Sequence, residues 1–560
     1  MHRVLIIREL QRLIFDCFLP DFDVETIACA WTESFQKFIP DREARGTLLN
    51  LALTCRAFED SALDALWWAM EDLTPLFAML KSYREVGNTK LLRGAISTLE
   101  VENFFSYAAR IKLFYLRGPA SISSTAYVRI LAAGKRHHLL PSLKYLLSNQ
   151  SLPDLFIFVS PNLLVVNISN ECAEGEELPD ETYIRTFNDS LADISPGLVG
   201  LRIHFEMTTD CLRAVLSLPN LKYLHLDNFL PNHCHEQLDF QSLDFDFMRR
   251  LSSRLCGLEI FGSIDLLLAP GPASQALTFR TLRKINLQTE PMGSIRELTN
   301  LFSVATFPAL QSFTALPFGH DHSAPVDDLR DFLASLIGAT TPGLLSSIDL
   351  FTDWHPDFHA KISLSSIPEL LRFRLTRLRI NFLQDLSADD IKTMSAAWPN
   401  LRELRLDSLE GFVFDILIAV AQNFSNLRYL HLDVDLRVLP APDDVPMVFC
   451  HPLGHLAIYP RDDGPLQNPF DFAVSLANLF PHLHEVSAPY WNNETGRSWK
   501  DMAAMLKVIQ FARIDPRLAQ DLEIVIPSDS LCSPVLNRER VETLGSYMAL
   551  QPLVVLSTPE

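Results

Sequence analysis

"LPNLKYLHLD" occupies residues 218–227, "WPNLRELRLD" residues 398–407 and "FSNLRYLHLD" residues 424–433. Each carries the pattern Leu-x-x-Leu-x-Leu: Leu221/Leu224/Leu226, Leu401/Leu404/Leu406 and Leu427/Leu430/Leu432. The closing Leu-x-Leu alternates with period two, which makes a short strand with one buried face. The first leucine enters the same core from the turn before the strand. Pro-Asn or Ser-Asn ahead of it is turn chemistry. Looser copies of the template start at Leu163, Leu198, Leu255, Leu282, Leu345, Leu375 and Leu453. Weaker ones start at Ile111, Leu143, Leu310, Leu483 and Ala519. The anchors Leu375, Leu401, Leu427 and Leu453 fall 26 residues apart.

Helical patterns lie between the strands. "SADDIKTMSAAW" (387–398) opens with Ser387 and Asp390 at capping-box spacing. Phe412, Ile416 and Val420 share one helix face, as do Leu329, Phe332, Leu333 and Leu336, and Trp499, Met502, Leu506 and Ile509. A strand–helix unit with a period in the twenties, repeated about 12–14 times, is the leucine-rich-repeat signature. The expected fold is therefore α/β: an irregular leucine-rich-repeat solenoid with parallel strands on the concave side and helices on the convex side. The polar Asn or Cys usual three residues after the last leucine is replaced by Phe229, Leu409 and Asp435 in the three best copies. The solenoid is expected over 141–545, with a helical linker or first degenerate repeat at 81–140 and a tail at 546–560.

The first eighty residues do not carry the repeat. "IIRELQRLIFDCFLP" (6–20) is an amphipathic helix with Ile7, Leu10, Ile14 and Phe18 on one face and Phe15 beside it. "LLNLALTCRAFEDSALDALWWAMEDL" (48–73) reads as a second helix, a turn near Thr54–Arg56 and a third helix through Trp67. So small a piece cannot bury all its apolar side chains alone, so it offers a partner surface. Here the chain resembles the F-box, through Ile7, Leu10, Ile14–Phe15, Cys55–Arg56, Phe58 and Leu66–Trp67. The ending "ALDALWWAMEDLTPLFAML" is similar to F-box proteins of mushroom-forming fungi. Two departures stand out. The usual Leu-Pro opening is Ile7-Arg8, and residues 19–47 form a long insert between the first two helices. That insert is either a surface excursion or a feature that alters how a partner docks.

The resemblance implies that Leu10, Ile14, Phe15, Cys55, Arg56, Phe58 and Trp67 face the adaptor Skp1, and through it a cullin-RING ubiquitin ligase. The repeats would then present a protein substrate, with no chemistry done by this chain. The alternative is a leucine-rich-repeat scaffold that does not bind Skp1.

Composition agrees with an interaction protein. The chain has 560 residues, 48% hydrophobic and 21% charged, which suits an array with an extensive core. Its net charge of −20 repels phosphate backbones, so nucleic acid is not an expected partner, and a basic patch is the easier match. Nine cysteines without a Cys-x-x-Cys pair fit a reducing intracellular compartment, cytoplasm or nucleus. "MHRVLIIREL" does not read as a signal peptide, and no apolar run is long enough for a membrane helix.

Residues flanking the inward leucines point to the expected concave face. They form a row through Arg202, His204, Tyr223, His225, Asp227, Glu259, Phe261, Lys284, Asn286, Asp349, Phe351, Arg377, Arg379, Glu403, Arg405, Asp407, Tyr429, His431, Asp433, His455 and Tyr459. Of these, Tyr223, His225, Arg377, Arg379, Arg405, Tyr429 and His431 are the expected substrate contacts, since aromatic and Arg side chains dominate protein recognition. "ECAEGEELPDE" (171–181) reads as an exposed acidic loop. No catalytic, cofactor or metal site is expected. His233-Cys234-His235 has no second cluster at zinc spacing, Pro356 interrupts His355 and His359, and His320 and His322 lie in a Gly/Pro-flanked loop. Nucleophile elbows, P-loops and Gly-x-Gly-x-x-Gly are absent from the sequence.

Overall fold

The leucine template becomes stacked parallel strands. A computed structural model describes residues 7–514 apart from 21–22, 29–31, 88, 118–121, 150–152, 170–180, 205–212, 230–244, 263–276, 320–324, 353–361, 409–410, 438, 461–465, 467 and 488–493. Several expectations lie outside the described residues: the rung from Ala519, the tail at 546–560, nearly all of the acidic stretch, His233-Cys234-His235, and the histidines at 320, 322, 355 and 359. The chain divides into two compact units, Met1–Pro291 with Val304–Pro308, and Met292–Ser303 with Ala309–Glu560.

The first unit contains β1 (Ala69–Met70), β2 (Tyr83–Val86), β3 (Thr89–Leu92), β4 (Leu113–Leu116), β5 (Tyr145–Ser148), β6 (Val165–Ser169), β7 (Gly200–His204), β8 (Tyr223–Phe229), β9 (Gly257–Gly262), β10 (Leu277–Thr278), β11 (Lys284–Ser294) and β12 (Ala305–Thr306). β2 and β3 form an antiparallel hairpin, and β10 and β12 a short parallel pair. The rest line up in the order β1-β4-β5-β6-β7-β8-β9-β11, every pair parallel. The second unit holds β13 (Ser312–Gly319), β14 (Ser347–Thr352), β15 (Arg377–Ile380), β16 (Glu403–Leu406), β17 (Tyr429–Val434), β18 (His455–Pro460) and β19 (Glu485–Ser487), again parallel and in chain order.

The register explains the 26-residue spacing. Leu378, Leu404, Leu430 and Leu456 sit opposite one another on successive strands, as do Ile380, Leu406, Leu432 and Ile458. All eight are buried, each contributing roughly 1.5–3 kcal/mol relative to exposure. The helices Pro325–Ala339, Ala388–Ala397, Phe414–Asn423 and Glu494–Ile514 bury the apolar faces read from the sequence, except that Phe412 precedes its helix and is buried in a bridge to Val434. Ser387 accepts from the Asp390 backbone N–H at 3.2 Å and Asp390 accepts from that of Ser387 at 2.9 Å, closing the expected capping box. The turn asparagines also tie rungs together. Asn162 donates to the Pro141 carbonyl (2.8 Å), Asn220 to that of Pro196 (3.0 Å) and Asn426 to that of Pro399 (2.9 Å).

Parallel strand pairing begins earlier than the template indicates. β1 starts at Ala69 and pairs with β4, inside the stretch read as the N-terminal helical piece and the linker. β4 is the strand of the weaker copy that starts at Ile111, and its burial on both faces is why that copy lacks a clear alternation.

Among the described residues four α-helices precede β1: α1 (Arg8–Asp16), α2 (Val24–Ala28), α3 (Arg42–Thr54) and α4 (Arg56–Leu66). α3 begins six residues before Leu48, because Asp41 caps it by accepting from the Ala44 backbone N–H at 2.7 Å. Phe15, Leu48, Ala52, Ala62 and Ala65 form the core of α1, α3 and α4. Arg110 anchors α4 to the first rung by bonding Asp60 (3.0 Å) and Asp64. Among the described residues, no helix is long and apolar enough to cross a membrane.

Candidate functional site

In the first unit, the face turned away from the leucine core is apolar on β1, β4 and β5 and mixed with polar residues from β6 onward. Its first cross-strand row runs Ala69, Leu113, Tyr145, Val165, Gly200, Tyr223, Gly257 and Lys284. Its second runs Tyr115, Leu147, Asn167, Arg202, His225, Glu259 and Asn286. Left in water, the apolar part on β1, β4, β5 and Val165 would cost the fold heavily. The insert covers it. Ile27, Ala28, Phe35 and Phe38, from α2 and the 3₁₀ turn Thr32–Phe38, share one buried cluster with Ala69, Leu113, Tyr115, Tyr145, Leu147 and Val165. Phe35 meets Tyr115 edge-on at 5.3 Å. α2 can approach because residue 200 is glycine: a Cβ there would lie 2.7 Å from that of Ala28.

One polar contact fixes the cover. Glu25 accepts from the Tyr223 hydroxyl at 2.9 Å and pairs with Lys284 Nζ at 2.5 Å. The Lys284 ammonium, helped by Tyr223, holds the Glu25 carboxyl below its usual range against the opposing effect of burial. The insert is therefore neither a surface excursion nor remote from the repeats. The expected contacts Tyr223 and His225 must be corrected accordingly. Tyr223 is engaged by Glu25, and His225 is buried at 3% exposure, so neither belongs to an open face.

In the second unit the equivalent face is polar and open. Arg379 donates through Nε to Glu403 Oε1 at 2.8 Å, and Arg377 Nε lies 3.3 Å from Glu403 Oε2. Asp349 stands 3.7 Å from Arg379 and 4.0 Å from Arg377, yet burial outweighs their attraction and pushes its carboxyl up to about 6. Arg405 grips Asp407 through Nε (3.0 and 3.1 Å) and lies over the Phe351 ring, 4.8 Å from its centre. His431 Nε2 is 3.1 Å from Asp407 Oδ1. Burial alone would raise Asp407, but the bonds to His431 and Arg405 hold it below the usual range. Asp433, accepting from the Ser408 backbone N–H at 2.7 Å, is pushed by burial up to about 6.

Two cross-strand stacks complete the face: Tyr429 on His455 and His431 on Tyr459, each with centroids 4.5 Å apart. An open pocket of about 250 Å³ lies over Arg379, Arg405, Tyr429, His431, His455 and Glu485. Five expected contacts, Arg377, Arg379, Arg405, Tyr429 and His431, thus fall on one surface. Asp407, His431 and Asp433 also offer donor atoms within 4.8 Å of one another, a set able to hold a cation, although Arg405 already occupies Asp407.

Of the residues carried over from the F-box, Leu10 is half-buried and Ile14 is 46% exposed. Ile7, Leu49 and Leu53 are exposed with them. Cys55 is extended and half-buried between α3 and α4, and Arg56 is exposed at the start of α4. Phe15 is different: it is 3% exposed and meets Phe58 edge-on at 5.9 Å, so it is core. Trp67 packs on Tyr107, ring centres 5.1 Å apart. Two residues escaped the sequence reading. Glu485 stands two positions after the anchor Leu483, where the template would have placed it. Glu25 lies in the insert, outside any repeat.

No family model matches the chain, and no curated protein matches it. Among solved structures it is similar to the Rad7–Elc1 complex of yeast, at 12% identity over 80% of this chain and 88% of that one, with a TM-score of 0.34. It is also similar to the leucine-rich repeat-containing protein LegL7 from Legionella pneumophila, at 16% identity over 52% and 91%, with a TM-score of 0.29. These likenesses are distant, and the leucine-rich-repeat fold stands on the anchors and registers above.

Proposed function

We propose that this protein is a substrate-recognition subunit of a Skp1–cullin ubiquitin ligase. α1, α3 and α4 dock Skp1, and the open face of the second unit binds a protein substrate. The observation that carries the reading is the set of apolar side chains left exposed around α1 and α3: Ile7 and Ile14, at residues that resemble an F-box, and Leu49 and Leu53 on α3. The protein performs no chemistry in this reading. It raises the effective concentration of a substrate lysine near a ubiquitin-loaded enzyme. Nucleic acid and membranes are not partners.

The test is co-purification of the full chain with Skp1, followed by the same capture with Ile14→Asp and Leu53→Asp. Both side chains are exposed, so the variants should fold and lose capture. Phe15→Asp is unsuitable because it would disrupt the three-helix core. Wild type that captures no Skp1 defeats the ligase reading and leaves a scaffold without adaptor. Undiminished capture by both variants moves the interface elsewhere.

A further inference from the structure

We propose that the open face of the second unit takes a basic, extended protein segment, with a Lys or Arg side chain seated against Tyr429, His455 and Glu485. This rests on reading that face as the recognition surface. The first unit supplies the argument. There Tyr223 on β8 and Lys284 on β11 stand in one cross-strand row, two strands apart, with Gly257 between them. The chain's own Glu25 is seated on that pair, 2.9 Å from the tyrosine hydroxyl and 2.5 Å from the ammonium.

In the second unit Tyr429 on β17 and Glu485 on β19 occupy the same template positions, again two strands apart, with His455 between them. An acid stands where the lysine stood. His455 lies flat on Tyr429, with 5° between the rings, and its Nδ1 is 2.9 Å from Glu485. The Tyr429 and Glu485 side chains stay accessible, the tyrosine at 49% and the carboxylate at 64%. The position that seats a carboxylate in the first unit is thus reversed in charge in the second. The chemistry that fits is a cation over an aromatic ring beside a carboxylate.

The rest of the face agrees. Of the five carboxylates near it, Asp349 is buried and Glu403 and Asp407 are paired with Arg377, Arg379 and Arg405, which leaves Asp433 and Glu485 for a cation. The arginines are already gripped by Glu403 and Asp407, which disfavours an anionic occupant. His431 and Tyr459 extend the aromatic platform toward Asp433, so consecutive side chains of an extended segment find similar seats.

The test measures fluorescence anisotropy of a labelled peptide of alternating Arg and Thr on the purified full chain, with an alternating Glu-Thr peptide as its counterpart. Because the chain carries a net charge of −20, general attraction must be separated from the site. The double variant Glu485→Gln/Asp433→Asn is compared with Asp389→Asn/Asp415→Asn, which removes the same charge from exposed helix positions of the same unit. The face variant should weaken Arg-Thr binding at least about fivefold and the helix variant less than about twofold. Equal losses, or a preference for the Glu-Thr peptide, overturn the proposal. Skp1 capture by the same preparations is read separately. Capture without a face-specific effect overturns this inference and leaves the adaptor reading standing. A face-specific effect without capture supports the inference and removes the adaptor reading.

Discussion

The two units build their outward faces on one template and reach opposite results. β4 and β5 of the first unit are buried throughout, whereas β15 and β16 of the second alternate between half-buried and buried. The inward leucines are alike in both. The difference lies in the residues between them: Leu113, Tyr115, Tyr145 and Leu147 against Arg377, Arg379, Glu403 and Arg405. An apolar outward row needs a cover, and the first unit draws one from its own chain. A row of paired charges and stacked rings stays in water at little cost.

The largest effect should come from removing the centre of the cover. Phe35 is fully buried, and Phe35→Ala should cost about 3–5 kcal/mol. Its counterpart, Tyr429→Ala, removes a ring that is 49% exposed and should cost below about 1 kcal/mol. Chemical denaturation followed by circular dichroism measures both. Equal costs would mean that the cover is a loosely applied strap and not part of the first unit's core.

This contrast was half legible in the sequence. The leucine anchors, the helix faces and the outward row of the second unit follow from period two and period 3.6, because strands and helices repeat locally. Ile27 and Phe35 could not be read this way. They belong to no repeat, and their partners lie at least thirty positions away, at Ala69 and beyond. The clue was on the other side of the contact. Tyr145, Leu147 and Val165 put apolar residues where the template leaves solvent, and that surplus called for a cover. Within the N-terminal helices the same ambiguity divides neighbours: Ile14 faces out and Phe15 in, a distinction set by how α1 leans on α4.

Asp349 gives a smaller effect with a pH signature. Its carboxyl, pushed by burial from an ordinary 3.8 up to about 6, is favoured in its protonated form in the fold. Its stabilising contribution is complete below the unfolded value and is lost as pH rises through about 6. Asp349→Asn should therefore stabilise the second unit by about 1–2 kcal/mol near pH 7.5, with the gain fading toward pH 4. Midpoints of denaturation across that range decide it. A destabilised variant at the upper end would show that attraction from Arg379 and Arg377 outweighs burial.

Glu25 should have the smallest effect and the opposite pH sign. Lys284 and Tyr223 lower its carboxyl from an ordinary 4.5, so its contribution is present above that value and is lost as pH falls through the lower folded one. Lys284 is half exposed, so solvent screens the pair, and Glu25→Gln should cost only about 0.5–1 kcal/mol at neutral pH, less in high salt. A double-mutant cycle with Lys284→Ala isolates the pair, and coupling within error of zero would remove it as a fixing contact. The expected cost is several times smaller than that of Phe35→Ala because the two residues do different things. Apolar burial holds the cover down, while the single carboxylate sets where along the row α2 comes to rest: over Gly200, where a Cβ would collide with Ala28.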